Sequence, residues 1–221
     1  MIAIDGPTAS GKGTIAQRVA SALEFHYLDS GALYRLVAWH ALRANVDAND
    51  EAALVRIAAA MRPDFRVGRV WVEGQDVSDA IRTEEVSRFS SQIAVFAGVR
   101  EALLQLQRAR RQPPGLVADG RDMGTVVFPD ARPKIYLTAS VAARAKRRHK
   151  QLITKGFPAN IAALSEEEVR REIEARDKRD AQRAASPLKP AEDAYQIDSS
   201  ELGVDEVVAL VLQWYARTRG S

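Results

Sequence analysis

The chain has no cysteine, only three histidines and no long uninterrupted run of apolar residues. Disulfides, thiolate metal sites and a cysteine nucleophile are therefore excluded. The histidines, His26, His40 and His149, lie too far apart in sequence for metal-ligand spacing. No apolar run approaches the ~20 residues that span a bilayer, and no basic leader precedes a hydrophobic stretch at the N-terminus. We expect a cytoplasmic protein that has no membrane partner.

Aromatic residues are also few, at 6% of the 221 residues, whereas 46% are hydrophobic and 28% are charged. This composition is ordinary for a globular protein and suffices for one large domain with smaller insertions. The net charge is +3, and residues 144–190 hold thirteen Lys and Arg against seven Asp and Glu. That segment is either an anion-binding surface or a solvated helix with excess positive charge.

Short apolar segments alternate with longer segments of helical periodicity, a pattern typical of a parallel α/β sheet with helices on both faces. The predicted strands are residues 2–5, 26–29, 116–119, 134–138 and 195–198. The predicted helices are residues 11–24, 31–44, 50–61, 83–95, 99–111, 141–154, 165–183 and 204–218. Residues 65–77 alternate and turn like a small antiparallel β insert, which lacks the crossover helix needed to join the parallel sheet.

Four of the five predicted strands end in aspartate: Asp5, Asp29, Asp119 and Asp198. Ligands of open α/β sheets bind beyond the carboxyl ends of the strands, although a single aspartate there can equally cap the next helix. Asp119 is placed like an aspartate that orients Mg²⁺ or its waters. Capping or packing of the following loop is an equal alternative for it.

Residues 6–14 follow the first strand, open the first helix and have the G-x-x-x-x-G-K spacing of a phosphate-binding loop. In such a loop, backbone N–H groups and the helix N-terminus face the anion, and the lysine reaches the β- and γ-phosphates. The predicted ATP-binding residues are Gly6, Pro7, Thr8, Ala9, Ser10, Gly11, Lys12, Gly13 and Thr14.

Gly13 departs from the common form of the motif, because many nucleotide hydrolases bind Mg²⁺ through a hydroxyl at this position. Either Thr14 takes that part, or the metal is held mostly by water and phosphate oxygens, which Mg²⁺ readily permits. The sequence therefore predicts Mg²⁺ as cofactor. Thr14 and Asp119 are its candidate ligands, directly or through water.

Three stretches of sequence carry a resemblance to a known family. The loop GPTASGKGT resembles that of nucleoside monophosphate kinases, and LDSGALYR at residues 28–35 and ADGRDMGTVVFPDA at residues 118–131 resemble bacterial cytidylate kinases. The resemblance covers essentially the whole chain. It implies a five-stranded parallel sheet of the phosphate-loop kinase type with helices on both faces, a small antiparallel β insert and a helical lid.

The resemblance also implies a division of the chain into segments. Residues 1–30, with the phosphate loop, would form the core together with residues 113–143 and 191–221. Residues 31–112 would be monophosphate-binding helices with the β insert near residues 63–80. Residues 144–190 would be the lid and its flanking helices, with residues 155–158 as a flexible connection.

Phosphoryl transfer from ATP to a nucleoside monophosphate needs positive charge more than a general base, since the second pKa of the acceptor phosphate is about 6. One predicted helix offers such charge at positions i, i+3, i+4 and i+7, which share a face. These positions are Arg176, Arg179, Asp180 and Arg183. A salt-bridged solvent face is the alternative interpretation.

The resemblance assigns roles to individual residues. The implied catalytic residues are Lys12, Arg121, Arg176 and Arg179. The implied CMP-binding residues are Ser30, Arg35, Arg100, Arg121, Asp122, Asp180 and Arg183. Within that set, Asp180 would contact the sugar, and Ser30, Arg100 and Asp122 would bind cytosine, whose N4 amino group needs an acceptor and whose N3 and O2 need donors.

The sequence thus predicts an ATP-dependent kinase that acts on CMP and dCMP in preference to UMP. Two other interpretations stay open: a monophosphate kinase for UMP or dTMP, and a nucleotide-dependent RNA-binding switch that uses the basic segment. Acidic residues alternate with the basic ones there and no stacking aromatics interleave, so we expect no nucleic-acid partner. A monomer is expected, because kinases of this kind are often monomeric.

Overall fold

A computed structural model describes residues 1–66, 69–154 and 164–219 of the chain. The chain divides into two compact units. The first consists of Met1–Asp29 and Arg110–Ser221, and the second of Ser30–Ala109. None of the helices in the described ranges is both long and apolar enough to cross a membrane.

The first unit contains a five-stranded parallel sheet. Its strands are β1 (Ile2–Asp5), β2 (His26–Asp29), β6 (Leu116–Gly120), β7 (Lys134–Thr138) and β8 (Tyr195–Asp198), in the spatial order β2-β6-β1-β7-β8. The central strand β1 is an unbroken apolar run whose residues Ile2, Ala3 and Ile4 are fully buried. That pattern is expected for a parallel strand covered on both faces.

Helices α1 (Lys12–Ala22), α6 (Val141–Thr154), α7 (Glu166–Gln182) and α8 (Val204–Arg219) belong to the same unit. Ile15 of α1 and Val211 of α8 join the apolar core that includes β1. α6 and α7 pack against each other through a smaller cluster that includes Leu152, Val169 and Ile173. α1, α6 and α8 each follow a strand of the sheet, so their first turns lie near its carboxyl edge, where ligands of such sheets bind.

The second unit consists of helices and a three-stranded antiparallel sheet. Its helices are α2 (Ser30–Arg43), α3 (Glu51–Ala60), α4 (Glu84–Ile93) and α5 (Ala97–Arg108), and its strands are β3 (Asp64–Arg66), β4 (Arg69–Val72) and β5 (Gln75–Asp76). The side chains of Asp50 and Thr83 cap α3 and α4 by accepting a backbone N–H. Residues 67 and 68, between β3 and β4 in the sequence, lie outside the described residues.

The fold predicted from the sequence is confirmed: a five-stranded parallel sheet with helices and a separate small antiparallel sheet. The third strand of the prediction extends one residue further, to Gly120. The helix predicted at residues 99–111 begins two residues earlier and ends three residues earlier. Apolar periodicity determines that an element exists, whereas its ends depend on capping contacts that periodicity does not contain.

Asp5 joins the end of β1 to the loop that follows β6. Its two carboxylate oxygens accept the backbone N–H groups of Met123 and Gly124, each at 2.8 Å. Those residues begin a π-helical turn, Met123–Val127. The Asp5 side chain is buried, at 5% exposure, and burial raises its pKa to about 7, although the two N–H groups act in the opposite direction. The ionised carboxylate is thus held in place by the backbone at a cost in solvation.

We predict that Asp5→Asn changes the pH dependence of stability. Because the folded-state pKa is raised, the protonated group favours folding at low pH, and that contribution is lost as the pH rises from about 4 to about 7. The free energy of unfolding of the variant, measured by urea denaturation, should rise relative to that of the parent protein over this window. The relative change is expected to be on the order of 4 kcal/mol.

The control for this experiment is Asp205→Asn, which removes an exposed carboxylate that pairs with Arg18 at the surface. Its effect on the free energy of unfolding should be small throughout the pH range, because exposed ion pairs contribute little. A stability difference between Asp5→Asn and the parent protein that does not vary with pH would contradict a raised pKa of Asp5 in the folded protein.

Candidate active site

The phosphate loop connects β1 to α1, and two of its glycines are required by its geometry. A Cβ atom at Gly6 would lie 2.0 Å from the backbone oxygen of Leu137, so no larger residue fits there. Gly11 precedes α1 with φ of 89°, in the left-handed region that glycine adopts without strain. The loop therefore leads directly into a helix N-terminus, which favours an anion.

Lys12 is the first residue of α1 and is buried, at 8% exposure, with Nζ donating to the backbone oxygen of Pro7 at 3.1 Å. Its pKa is lowered to about 7, mainly because the side chain is buried. The positive charges of Arg121 and Arg176 contribute to this decrease, and the carboxylates of Asp119 and Asp29 oppose it. An anion beside Lys12 would stabilise its charged form.

Two arginines of α6 bind carbonyl groups of the phosphate loop. Arg144 donates to the oxygen of Thr8 at 3.2 Å, and Arg147 donates to the oxygen of Ser10 at 3.4 Å. Arg144 also forms an ion pair of 2.7 Å with Asp177 of α7. These contacts fix the backbone of the loop and connect it to both helices. Sequence reasoning did not single out either arginine, because α6 is basic along much of its length.

Asp119 lies in β6 directly opposite Asp29 of β2 in the register of the sheet. It is buried, at 5% exposure, and accepts a 2.5 Å hydrogen bond from the hydroxyl of Tyr27. The pKa of Asp119 is raised to about 6, mainly by burial and also by repulsion from Asp29, while Lys12 and the Tyr27 hydroxyl act against the rise. Two neighbouring carboxylates therefore face the phosphate-loop lysine.

Position 13 is directed toward Asp119 and Tyr27. A Cβ atom on Gly13 would lie 3.4 Å from Oδ2 of Asp119 and 3.6 Å from the hydroxyl of Tyr27. Thr14, one residue further along α1, is exposed. Sequence reasoning gave no part to Tyr27, since a tyrosine inside a short strand reads as an ordinary packing residue.

The oxygen ligands at the carboxyl edge of the parallel sheet suit a hard cation. Within residues 1–66, 69–154 and 164–219, no cluster of three or more His, Cys, Asp or Glu could hold a metal ion by itself. The pair Asp29 and Asp119 nevertheless offers carboxylate oxygens beside the loop. Because the two carboxylates repel each other, a cation next to them would stabilise their ionised forms. This arrangement fits Mg²⁺, which binds through one or two carboxylates and completes its shell with water and phosphate oxygens.

Arg121 and Asp180 form a buried ion pair between the end of β6 and α7. Nε of Arg121 lies 2.8 Å from Oδ2 of Asp180, and Nη1 also donates to the oxygen of Gly120 at 3.3 Å. Nη2 of Arg183 lies 3.9 Å from the other oxygen of Asp180. Burial would raise the pKa of Asp180, but the surrounding Arg121, Arg176 and Arg183 lower it below its ordinary value. The aspartate is held ionised among arginines.

The predicted stripe of α7 is only partly buried. Asp180 and Arg183 are buried, Arg176 is half-buried and Arg179 is exposed. Arg183 lies just beyond the end of the helix, as its C-cap residue. Asp122, which follows Arg121, is buried at 5% exposure. The connection expected at residues 155–158 lies outside the described residues.

The remaining predicted residues belong to the second unit. Ser30 is the first residue of α2 and is buried, whereas Arg35 of the same helix is half-buried. Arg100 of α5 is buried, donates to the oxygen of Ala94 at 3.2 Å and lies over the ring of Tyr34, 5.7 Å from its centroid. The Tyr34 contact fixes Arg100 and was not predicted from the sequence.

Comparison with known proteins identifies the family of the chain. A family model described as cytidylate kinase matches residues 2–217. The cytidylate kinase of Ralstonia nicotianae is 57% identical over 220 residues, which is 100% of this chain and 94% of that protein. The cytidylate kinase of Cupriavidus necator is 58% identical over 219 residues, which is 99% of this chain and 96% of that protein.

Among solved structures, shikimate kinase from Bacteroides thetaiotaomicron matches with a TM-score of 0.48 and 12% identity, over 96% of each chain. The family assignment does not depend on this distant match. The family model and the curated relatives each cover nearly the whole chain, which confirms the resemblance found in the sequence motifs. The chain belongs to the cytidylate kinase family.

Proposed function

We propose that the protein transfers the γ-phosphoryl group of ATP to CMP or dCMP and releases ADP with CDP or dCDP. The observation that carries the proposal is the environment of Lys12, which is buried at the start of α1 beside Arg121, Arg176 and the carboxylates of Asp29 and Asp119. Family membership supports the choice of substrates. No membrane and no nucleic acid take part in the proposed reaction, and a monomer suffices for it.

Residues 6–14 bind the phosphates of ATP in this proposal. The backbone of the loop and the N-terminus of α1 favour an anion. Lys12 adds a compact charge that follows the γ-phosphoryl group during transfer. Because burial lowers the pKa of Lys12, the phosphate itself promotes the charged form of the side chain on which its transfer depends.

The acceptor needs neutralisation of charge and no general base. Arg121 and Arg176 would stabilise charge on the transferring group, and Arg179 would join them from the exposed face of α7. Asp180 orients Arg121 through their 2.8 Å pair and would receive the sugar hydroxyls of CMP. Arg183 would contact the nucleotide, and Arg35 with Arg121 the acceptor phosphate.

Asp119 is the proposed link to Mg²⁺, directly or through water, with the hydroxyl of Thr14 as a second oxygen. When bound, Mg²⁺ supplies positive charge to the phosphate oxygens of ATP. Asp119 would hold its carboxylate toward position 13, where glycine leaves room. The protein thus leaves most of the metal shell to water and phosphate.

The lid proposed for residues 144–190 would exclude water from the reaction. Water competes with CMP for the phosphoryl group, so closure over the nucleotides protects ATP from hydrolysis. Arg144 donates to Thr8 of the phosphate loop and pairs with Asp177 of α7, so it would connect α7 to the nucleotide site during closure.

Ser30, Arg100 and Asp122 are proposed to select the base. Asp122 would accept from the N4 amino group of cytosine, and Arg100, held by Tyr34, would donate to N3 or O2. Uracil carries an acceptor in place of that amino group and a donor at N3. A buried mismatch of this type costs about 1 to 3 kcal/mol, which corresponds to roughly ten- to hundredfold discrimination.

The first prediction from this proposal concerns the substrate. In a coupled assay of ADP release with ATP and Mg²⁺, CMP and dCMP should be the best acceptors among CMP, dCMP, UMP, AMP and dTMP. Preference for UMP or dTMP would reassign the specificity within the same enzyme class. RNA binding with steep salt dependence, and no ADP release with any monophosphate, would replace the kinase by a nucleotide-dependent switch.

The second prediction concerns Lys12→Ala. The kcat should fall by about 10²- to 10³-fold, because the lysine acts on charge that develops during transfer, whereas the Kd for CMP should change little. Arg18→Ala is the control, since Arg18 lies on the same helix and pairs with the exposed Asp205. Equal losses in kcat and in CMP affinity would make Lys12 a docking residue.

The third prediction concerns Asp122→Asn. The ratio of kcat/KM for CMP to that for UMP should fall by roughly tenfold or more, because the carboxylate no longer discriminates at the 4-position of the base. Asp130→Asn serves as control, since Asp130 follows in the same segment and forms an exposed pair with Arg111. An unchanged ratio would remove Asp122 from the base site.

A further inference from the structure

Tyr27 places a hydroxyl where the phosphate-binding motif would ordinarily place one. Its side chain extends from the middle of β2 to the end of the neighbouring strand, where the hydroxyl donates to Oδ2 of Asp119 at 2.5 Å. Tyr27 itself pairs in the sheet with Val117, two residues before that aspartate. The phenol therefore reaches the carboxylate of a residue two positions beyond its own register partner in the neighbouring strand.

A side chain at position 13 would lie next to the same two groups, the Asp119 carboxylate and the Tyr27 hydroxyl. A Cβ atom there would lie 3.4 Å from the Asp119 oxygen and 3.6 Å from the Tyr27 hydroxyl. A serine or threonine at position 13 would extend its own hydroxyl toward that oxygen. In this chain the residue is glycine, so the volume beside Asp119 is left to the tyrosine.

The Asp119 carboxylate needs a donor at this place. It is 5% exposed and lies opposite Asp29, so an ionised side chain has little water and a like charge beside it. A hydrogen bond to a buried ionised group is stronger than one between neutral groups, and it also fixes the orientation of the carboxylate. Tyr27 can therefore determine where the second oxygen of Asp119 is directed.

We propose that Tyr27 is a positioning residue, whose hydroxyl holds the Asp119 carboxylate toward the metal-nucleotide in place of the hydroxyl that Gly13 lacks. This inference rests on the proposed function, in which Asp119 acts on Mg²⁺ directly or through water. Tyr27 acts only through Asp119 and does not touch the reacting groups.

The test is Tyr27→Phe, measured by titration calorimetry with ADP in the presence of Mg²⁺ and again with EDTA. The gain in ADP affinity that Mg²⁺ provides should fall about tenfold, because one hydrogen bond to a charged group is lost. The affinity for ADP in EDTA should stay within about twofold. The kcat with ATP and CMP should fall while the KM for CMP stays the same, and an unchanged stoichiometry of ADP binding would show that the fall does not come from an unfolded fraction.

Tyr195→Phe is the matched control, since it removes a tyrosine hydroxyl from β8 of the same sheet, where the ring stacks on Trp214. It should leave the gain provided by Mg²⁺ unchanged. The double variant Gly13→Ser with Tyr27→Phe should restore part of that gain, because it returns a hydroxyl from the other side of Asp119. An unchanged gain in Tyr27→Phe, or an equal loss of ADP affinity with and without Mg²⁺, would overturn the proposal.

A double-mutant cycle with Asp119→Asn tests whether Tyr27 acts through Asp119. Tyr27→Phe should have no further effect on the gain once Asp119 is neutral, whereas an additional loss would show that Tyr27 acts elsewhere and would overturn the positioning role. A parent protein that binds ADP with Mg²⁺ but forms no CDP from CMP would contradict the proposed function and leave the calorimetric comparison intact.

Discussion

The structure depends on charge that is buried at the carboxyl edge of a parallel sheet. The pKa values of Asp5 and Asp119 are raised by burial, and that of Lys12 is lowered by burial. Each of these groups would be more easily charged in water, so their ionised forms reduce the stability of the fold near neutral pH. A fold retains such groups where chemistry needs preorganised charge, and the surrounding contacts hold them in position.

The parallel topology explains why these groups meet. β6 lies between β2 and β1 and is in register with both, so the strand ends bring Asp29 beside Asp119 and the end of β1 beside Gly120. α1 begins at the same edge with Lys12 in its first turn. A hydrogen bond then fixes each charged group. Backbone N–H groups hold Asp5, the Tyr27 hydroxyl holds Asp119, and the carboxylate of Asp180 holds Arg121.

Much of this arrangement could be predicted from the sequence, because it follows from local patterns. The apolar runs that end in aspartate predicted the strands, and the glycine spacing predicted the phosphate loop. What could not be predicted are contacts between distant parts of the chain. Nothing local distinguishes Tyr27 from a packing residue, or Arg144 from its basic neighbours, until the fold brings them to Asp119 and Thr8.

The charged face predicted for α7 also shows what sequence spacing cannot predict. Spacing placed Arg176, Arg179, Asp180 and Arg183 on one face, but burial separates Arg179, which is exposed, from Asp180 and Arg183. The helix ends at Gln182, so Arg183 reaches Asp180 from the first residue beyond it. Periodicity identifies a face of a helix, and only tertiary packing determines which part of that face is covered.

The most direct test of the central claim is the number of protons taken up when ADP binds at pH 8. Calorimetry in buffers of different ionisation enthalpy should show uptake that approaches one proton per nucleotide, because Lys12 with a pKa of about 7 becomes charged beside the phosphates. This uptake should disappear in Lys12→Ala. Binding without proton uptake in the parent protein, or equal uptake in both, would contradict the account of buried charge at the sheet edge.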